Sequence, residues 1–205
     1  VLFLDELPEF SRHVLEVLRE PLESGSIVIS RANHQVTYPA RFQMVSAMNP
    51  CPCGYYGDEA GRCNCRSDQI ERYKSKISGP LLDRIDLHVQ VPPLPRGALS
   101  KSAQDSDTEH WLAVEQISDA RKLMLRKRGK LNAHLSGKES EKFCQLEKSE
   151  RRMLDNAMQK LGLSARGYFK VLKVARTLAD LSGEEKLGAP HLAEALAFRR
   201  TKSVT

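Results

Sequence analysis

The chain begins Val1-Leu2-Phe3-Leu4-Asp5-Glu6, four apolar residues running directly into two adjacent carboxylates. An uninterrupted apolar run suits a strand buried on both faces of a parallel sheet, because helices cover such a sheet on either side. Carboxylates at the carboxyl end of that strand lie where open α/β sheets bind their ligands. The run therefore predicts an α/β architecture with a polar site at a strand end. Two further strands are expected at 42–48 and 87–91, the second stopped by Pro92-Pro93. A helix is expected over 11–22, with Ser11 as N-cap and Val14, Leu15 and Leu18 at helical spacing. Residues 26–38 place two β-rich runs around a polar turn and predict a hairpin.

From Arg96 to Glu109 the chain turns polar and loses periodicity, which predicts a linker. Beyond it the patterns are helical, at 111–127, 149–161 and 164–181. The last carries Tyr168, Val171, Leu172, Ala175, Leu178 and Ala179 on one face. Pro190 falls in the first turn of a final helix striped by Leu192, Ala195 and Leu196. The organisation expected is an α/β part over 1–95, a linker over 96–109 and a helical part over 110–205. The 205 residues carry 32 Lys and Arg against 26 Asp and Glu, a net charge of +6 that favours an anionic partner without requiring one. No run is long and apolar enough to span a membrane, and the N-terminus lacks signal-peptide features; a cytoplasmic address is expected.

Several constellations carry chemistry. Asp5 and Glu6 suit a magnesium ion and a polarised water, as phosphoryl transfer needs; two solvated carboxylates are the alternative. Asn49, after the second strand, suits the attacking water or a phosphate oxygen, or is only an Asn-Pro turn. Arg84 follows a short helix and either reaches a neighbouring subunit's phosphate or pairs with Asp83 or Asp86 on the surface. Arg166 stands in the first turn of a helix, where the dipole disfavours a cation and a nearby phosphate would offset that; a solvated first-turn arginine is the alternative. Cys51, Cys53, Cys63 and Cys65 form two C-x-C pairs that suit a tetrahedral Zn²⁺ site; a metal-free thiol loop or two labile disulfides are the alternatives. Cys144 stands apart and reads as a buried thiol. Arg121, Lys122, Arg126, Lys127 and Arg128, with Lys130, suggest a basic helix face for nucleic-acid phosphate, or a solvated one. Arg31 and His34 at the hairpin tip are a second candidate contact.

Taken in order, LFLDELPEF, REPLESG, SAMNPCPCGYYGD, the CNC pair, SGPLLDRIDLHV, LNAHLSG and SARGYFKVLKVARTLADL resemble the C-terminal half of the magnesium-chelatase-like AAA+ ATPases, in the branch holding the competence (ComM) and YifB proteins. The resemblance runs from Val1 to about Arg199. It implies part of a AAA+ P-loop core followed by a helical lid. It implies that Asp5 and Glu6 match Walker B, Asn49 sensor 1, Arg84 the arginine finger acting in trans, Arg166 sensor 2, and residues 27–38 the hairpin before sensor 1. It also implies ATP with Mg²⁺ as fuel, DNA as partner and a homo-hexameric ring that drives branch migration or unwinding during transformation and recombination. A magnesium-chelatase-type motor subunit and a non-catalytic zinc-containing binding module are the alternatives. No G-x-x-x-x-G-K-[ST] loop occurs; Gly137-Lys138 has Asn132 where the earlier Gly belongs. A fragment, inactive in ATP hydrolysis by itself, is the expectation. In the family, the phosphate-loop strand lies between those matched by 42–48 and 87–91. Its loss is expected to leave apolar surface open and backbone bonds unmade.

Overall fold

The structure, a computed structural model, describes residues 1–31, 34–58, 60–92 and 104–199. It divides into two compact units, Val1–Ile85 and Asp86–Thr201. Residues 93–103 lie outside the described residues, among them 96–103 of the linker expected over 96–109, whose remainder is helical.

In the first unit, β1 (Leu2–Leu4) pairs in parallel with β4 (Met44–Ser46), in the register Leu2↔Met44, Phe3↔Val45, Leu4↔Ser46. The ladder continues past the strands, where Ala47 N–H donates to the Leu4 carbonyl (2.9 Å) and Leu7 N–H to the Ala47 carbonyl (3.0 Å). Burial on both faces is not what the strand shows. Leu4 packs on a cluster of Leu7, Leu15, Ile77 and Leu81, whereas Phe3 is 60% exposed and Val45 is exposed beside it. Only one face of this two-stranded sheet is covered, so alternate side chains meet solvent.

The expected helix over 11–22 forms as two, α1 (Arg12–Val17) and α2 (Arg19–Ser24). Ser11 caps the first by accepting from Val14 N–H (3.4 Å). The break at Leu18 follows from Pro21, which has no N–H for the Val17 carbonyl and a ring that crowds it. Gly25 ends α2 at φ +69°, and a β-carbon there would stand 2.9 Å from Arg41 Cγ. The hairpin is present as β2 (Ser26–Arg31) and β3 (His34–Pro39), antiparallel, with β3 exposed throughout. A Cys-bearing loop then leads to α3 (Ser67–Lys74) and α4 (Gly79–Leu82), the latter capped by Ser78 accepting from Leu81 N–H (3.3 Å).

In the second unit the strand expected at 87–91 does not form. His88 N–H donates to the Phe198 carbonyl (2.9 Å), and no described strand lies alongside to offer a ladder. Leu87, Val89 and Val91 are left exposed, as apolar strand residues without a sheet are. The rest is helical: α5 (Gln104–Arg128), α6 (Gly137–Phe143), α7 (Lys148–Leu161), α8 (Ala165–Leu181) and α9 (Ala189–Ala197). The long helix starts at Gln104, well before its first apolar residue, because Gln, Asp and Glu continue a helix without a buried face. The core centres on α8, whose Val171, Leu172 and Ala175 pack with Leu154 of α7, Leu192, Ala195 and Leu196 of α9, Leu187 and Cys144.

Candidate functional site: an acidic strand end beside a four-cysteine knuckle

Because β1 and β4 run parallel as neighbours, their carboxyl ends meet at one edge of the sheet. Asp5 and Glu6 leave β1 there, and Met48-Asn49-Pro50 leaves β4. The chain turns sharply at Glu6, whose φ of 49° is left-handed. Asp5 Oδ1 accepts the Glu6 N–H (2.9 Å), which stabilises that turn. The side chains of all three candidate residues, Asp5, Glu6 and Asn49, are exposed. The parallel pairing expected from the sequence thus brings the carboxylates and Asn49 to the same rim.

Immediately after Asn49 the chain enters the knuckle. Cys51 Sγ lies 3.4 Å from Cys53 Sγ and 3.8 Å from Cys63 Sγ, and Cys53 lies 3.6 Å from Cys63. All four sulfurs, Cys65 included, fall within 4.8 Å of one another. A tetrahedron of thiolates at about 2.3 Å from a Zn²⁺ has edges of about 3.8 Å, so these side chains fit such an ion. The separations are far beyond a disulfide's roughly 2.05 Å, and the cysteines are free. An all-sulfur donor set favours a soft or borderline metal such as zinc. The thiols do not titrate alike. The Tyr55 backbone N–H draws Cys53 down to about 6, aided by neighbouring thiols. Its hydrogen bond to Cys53 pushes Cys65 up to about 12, and Cys63 is raised as well. Crowded sulfurs cannot all ionise without a cation among them. Asp58 and Arg62 pair across the loop (2.9 Å) and Arg62 lies over the Tyr55 ring at 4.4 Å, holding the knuckle's outer turn.

The Arg84 side chain does not project from the surface but is 11% exposed. Its Nε donates to the Arg19 carbonyl (3.1 Å), its Nη1 to the Pro80 carbonyl (2.9 Å), and its remaining nitrogen binds Glu23 of α2. Arg166 belongs to the second unit, exposed in the first turn of α8, where Ser164 accepts from Gly167 N–H (3.1 Å).

The expected basic helix face requires a correction. Arg128 is not a surface contact: its side chain is 5% exposed and forks onto Asp180 with bonds of 2.7 and 2.8 Å. Asp180 also receives Asn132 Nδ2 (2.8 Å) and faces Arg176 (3.2 Å), which itself caps the carbonyls of Glu184 and Glu185. Arg128 therefore ties α5 to α8. At 100° per residue Lys122 and Arg126 share one face, Arg121 lies with Arg128, and Lys127 turns to a third side, where it binds Glu185 (2.9 Å). Lys122 pairs with Asp119 (2.9 Å) and Lys130 with Glu139 (2.7 Å). His34 is exposed at the start of β3, opposite Arg31 in the register, while the Arg31 side chain lies outside the described residues. Cys144 is buried as expected, with its thiol raised to about 11 by burial and its S–H directed at the Leu172 carbonyl (3.5 Å).

The sequence reading passed over Tyr73, Glu23 and the Asp180 network. The i, i+3 spacing of Ile70 and Tyr73 is a signal for the first, since both turn out buried. Nothing local marks Glu23, whose partner Arg84 lies 61 residues away; Asp180 has a local mark in Arg176 at i, i+4, but Arg128 lies 52 residues away.

The chain thus joins an α/β unit, with an acidic strand end and a cysteine knuckle, to an α-helical unit. Profiles for magnesium chelatase subunit ChlI and for its C-terminal region match residues 1–99 and 112–199, and the chain belongs to that family. It is 49% identical to the competence protein ComM of Haemophilus influenzae over 97% of its own length and 38% of that protein's. It is 44% identical to the YifB protein of Escherichia coli, over 97% of the chain and 39% of that protein, and 25% identical to the magnesium-chelatase 38 kDa subunit of Rhodobacter capsulatus, over 93% and 48%. The chain thus spans less than half the length of these relatives.

Proposed function

We propose that this chain supplies the water-activating corner, the arginine and the lid of a AAA+-type ATPase that works as a ring on DNA, as in branch migration or unwinding. The observation that carries this reading is the parallel β1–β4 pair, which sets Asp5, Glu6 and Asn49 on one rim. Asp5 would hold the magnesium of Mg-ATP, Glu6 would orient and polarise the attacking water, and Asn49 would fix that water or a phosphate oxygen. Arg84 would serve a neighbouring subunit of a hexamer after exchanging Glu23 for a phosphate, and Arg166 would bind phosphate from the lid. Zn²⁺ bound by Cys51, Cys53, Cys63 and Cys65 would be structural, since four thiolates leave no open position for chemistry. DNA would meet the hairpin at Arg31 and His34 and the exposed cations Arg121, Lys122, Arg126 and Lys127. The family relation to a chelatase subunit supports the same nucleotide corner. Among the described residues no helix is long and apolar enough to cross a membrane, and reduced thiols suit the cytoplasm.

These 205 residues contain no phosphate-loop sequence, so the chain by itself should not turn over ATP. Joined to the preceding segment of a relative such as ComM, it should show magnesium-dependent turnover. Glu6→Gln should then lower turnover by about 10² or more while nucleotide binding persists, and Arg84→Ala by about 10³. Turnover indifferent to Glu6→Gln would overturn the reading. A second reading, a non-catalytic metal-stapled module, is favoured by the four sulfurs gathered within 4.8 Å of one another. It would be supported if DNA binding survived Asp5→Ala, Glu6→Gln and Arg84→Ala with no nucleotide bound by the joined protein.

A further inference from the structure

Helix α5 is packed at one end and bare at the other. Its last turns join the helical core, where Ala120 and Met124 are buried and Arg128 reaches Asp180. From Thr108 to Asp119, by contrast, every residue is exposed. That stretch is not the polar helix such exposure calls for. Trp111 is 67% exposed and Ile117 51%, and Val114 and, further on, Leu125 are open as well. Trp111, Ser118 and Leu125 stand seven residues apart, as do Val114 and Arg121, so they share one stripe of the helix, with Ile117 at its margin. A contiguous apolar stripe on a helix that lacks support from its own unit marks a surface that another element covers. The charges on α5 are segregated too. Up to Ala120 the helix carries Asp105, Asp107, Glu109, Glu115 and Asp119 and no Lys or Arg, whereas from Arg121 to Lys130 the chain carries six Lys and Arg and no Asp or Glu. Two such helices repel when parallel, because like halves meet, and attract when antiparallel.

We propose that the open stripe of α5 docks on the α5 of a second copy of this chain, antiparallel and centred on Ser118. A two-fold axis there sets Trp111 against the partner's Leu125, and Val114 against the aliphatic stem of the partner's Arg121, and each contact occurs twice. Ser118 at the axis is small enough to let the two helices approach. Glu115 and Lys122 flank the stripe, again seven residues apart, so each Glu115 meets the partner's Lys122. Lys122 now pairs with Asp119 of its own helix, but both side chains are largely in solvent, and a pair of that kind is readily exchanged. The contact is isologous, whereas successive subunits of a cyclic ring meet head to tail. The pairing therefore joins two free chains or two rings, and it does not depend on the nucleotide reading of the acidic rim.

The test uses the 205-residue chain, in which Trp111 is the single tryptophan, so that its emission reports on the stripe. Sedimentation equilibrium between about 1 μM and about 1 mM should show a monomer-dimer equilibrium, with the emission moving to the blue as dimer forms. Trp111→Ala and Ile117→Asp should each raise the dimer dissociation constant about tenfold or more, with the helical circular dichroism retained. Glu115→Lys alone should also weaken the dimer, because it sets two like-charge pairs across the axis. Glu115→Lys combined with Lys122→Glu should restore the wild-type constant to within about threefold, a rescue that a parallel contact would not show. A chain that stays monomeric over that range, a dimer indifferent to Trp111→Ala, or a double variant as weak as Glu115→Lys would each overturn the proposal. Emission already blue in the monomer would give the stripe to another part of the same chain, and emission that shifts only on adding single-stranded DNA would give it to nucleic acid; either result overturns the pairing. The roles of Asp5, Glu6 and Asn49 are read separately, by turnover of the joined protein.

Discussion

The helical unit closes a core around α8 in which Leu154, Val171, Leu172, Ala175, Leu192 and Ala195 are almost wholly buried. The α/β unit closes a far smaller one around Leu7, Leu15, Ile77 and Leu81, and leaves Phe3, Val28, Ile29, Val36 and Val45 exposed. The helical unit has the packing to sustain itself and adds a buried ion network at Asp180. The α/β unit has two short parallel strands and an exposed hairpin, elements that are marginal without something to pack on. What it has instead is a cluster of thiols that fits a metal, the usual staple where a core is too small. The lesson is that the two units fail for different reasons, and perturbations can be chosen to separate them.

Metal removal should produce the largest separation, because binding of this kind contributes on the order of 10 kcal/mol to folding. Cys51→Ser should abolish uptake of one metal equivalent by elemental analysis and raise hydrogen exchange through β1, β4 and α3, with α8 and α9 unchanged. Equal exchange in both units would erase the contrast. The converse variant is Asp180→Ala, which strands Arg128 and Arg176 in the core; it should destabilise the helical unit by about 3–5 kcal/mol in chemical denaturation, with metal content intact. A third pair sharpens the difference in packing. Leu172→Ala should cost about 2–5 kcal/mol, and Leu81→Ala should fall at the low end of that range because its smaller, one-sided cluster can relax around the gap.

The smallest effect concerns pH. Glu139 is held at about 2 by Lys130 and by the backbone and hydroxyl of Ser136, against an ordinary value of about 4.3. Its folded value is depressed, so its contribution to the helical unit is complete above pH about 4.3 and is lost as the pH falls toward 2. Glu139→Gln should flatten the thermal midpoint over that window and leave it nearly unchanged at neutral pH. An identical acid profile in the variant would show that the ionised Glu139 carboxylate and its pair with Lys130 add nothing to stability.

The comparison also explains what was legible beforehand. Ser164 as the cap of α8, the apolar face of that helix, Pro190 in the first turn of α9 and the hairpin all follow from signals within a few residues of each other. The cysteine spacing likewise announced a cluster, because two C-x-C pairs can converge through one glycine-bearing loop. Residues 87–91 misled, since five strand-like residues mean nothing without a neighbour to complete the ladder. The basic run at 121–130 misled for a related reason. Charge can be counted along a helix, but the side to which each cation turns, and the carboxylate waiting there, cannot.

The amino-acid order by itself settled the local elements, the acidic strand end, the cysteine spacing and the family likeness, because capping, periodicity and motif spacing act over short stretches of chain. Tertiary structure alone decided that Arg128 is a buried strut for Asp180 and that Arg84 lies on Glu23. Each of those outcomes depends on which distant group supplies the opposing charge or the covering surface, and the energy of a charge or an apolar side chain is set by those neighbours rather than by its place in the chain.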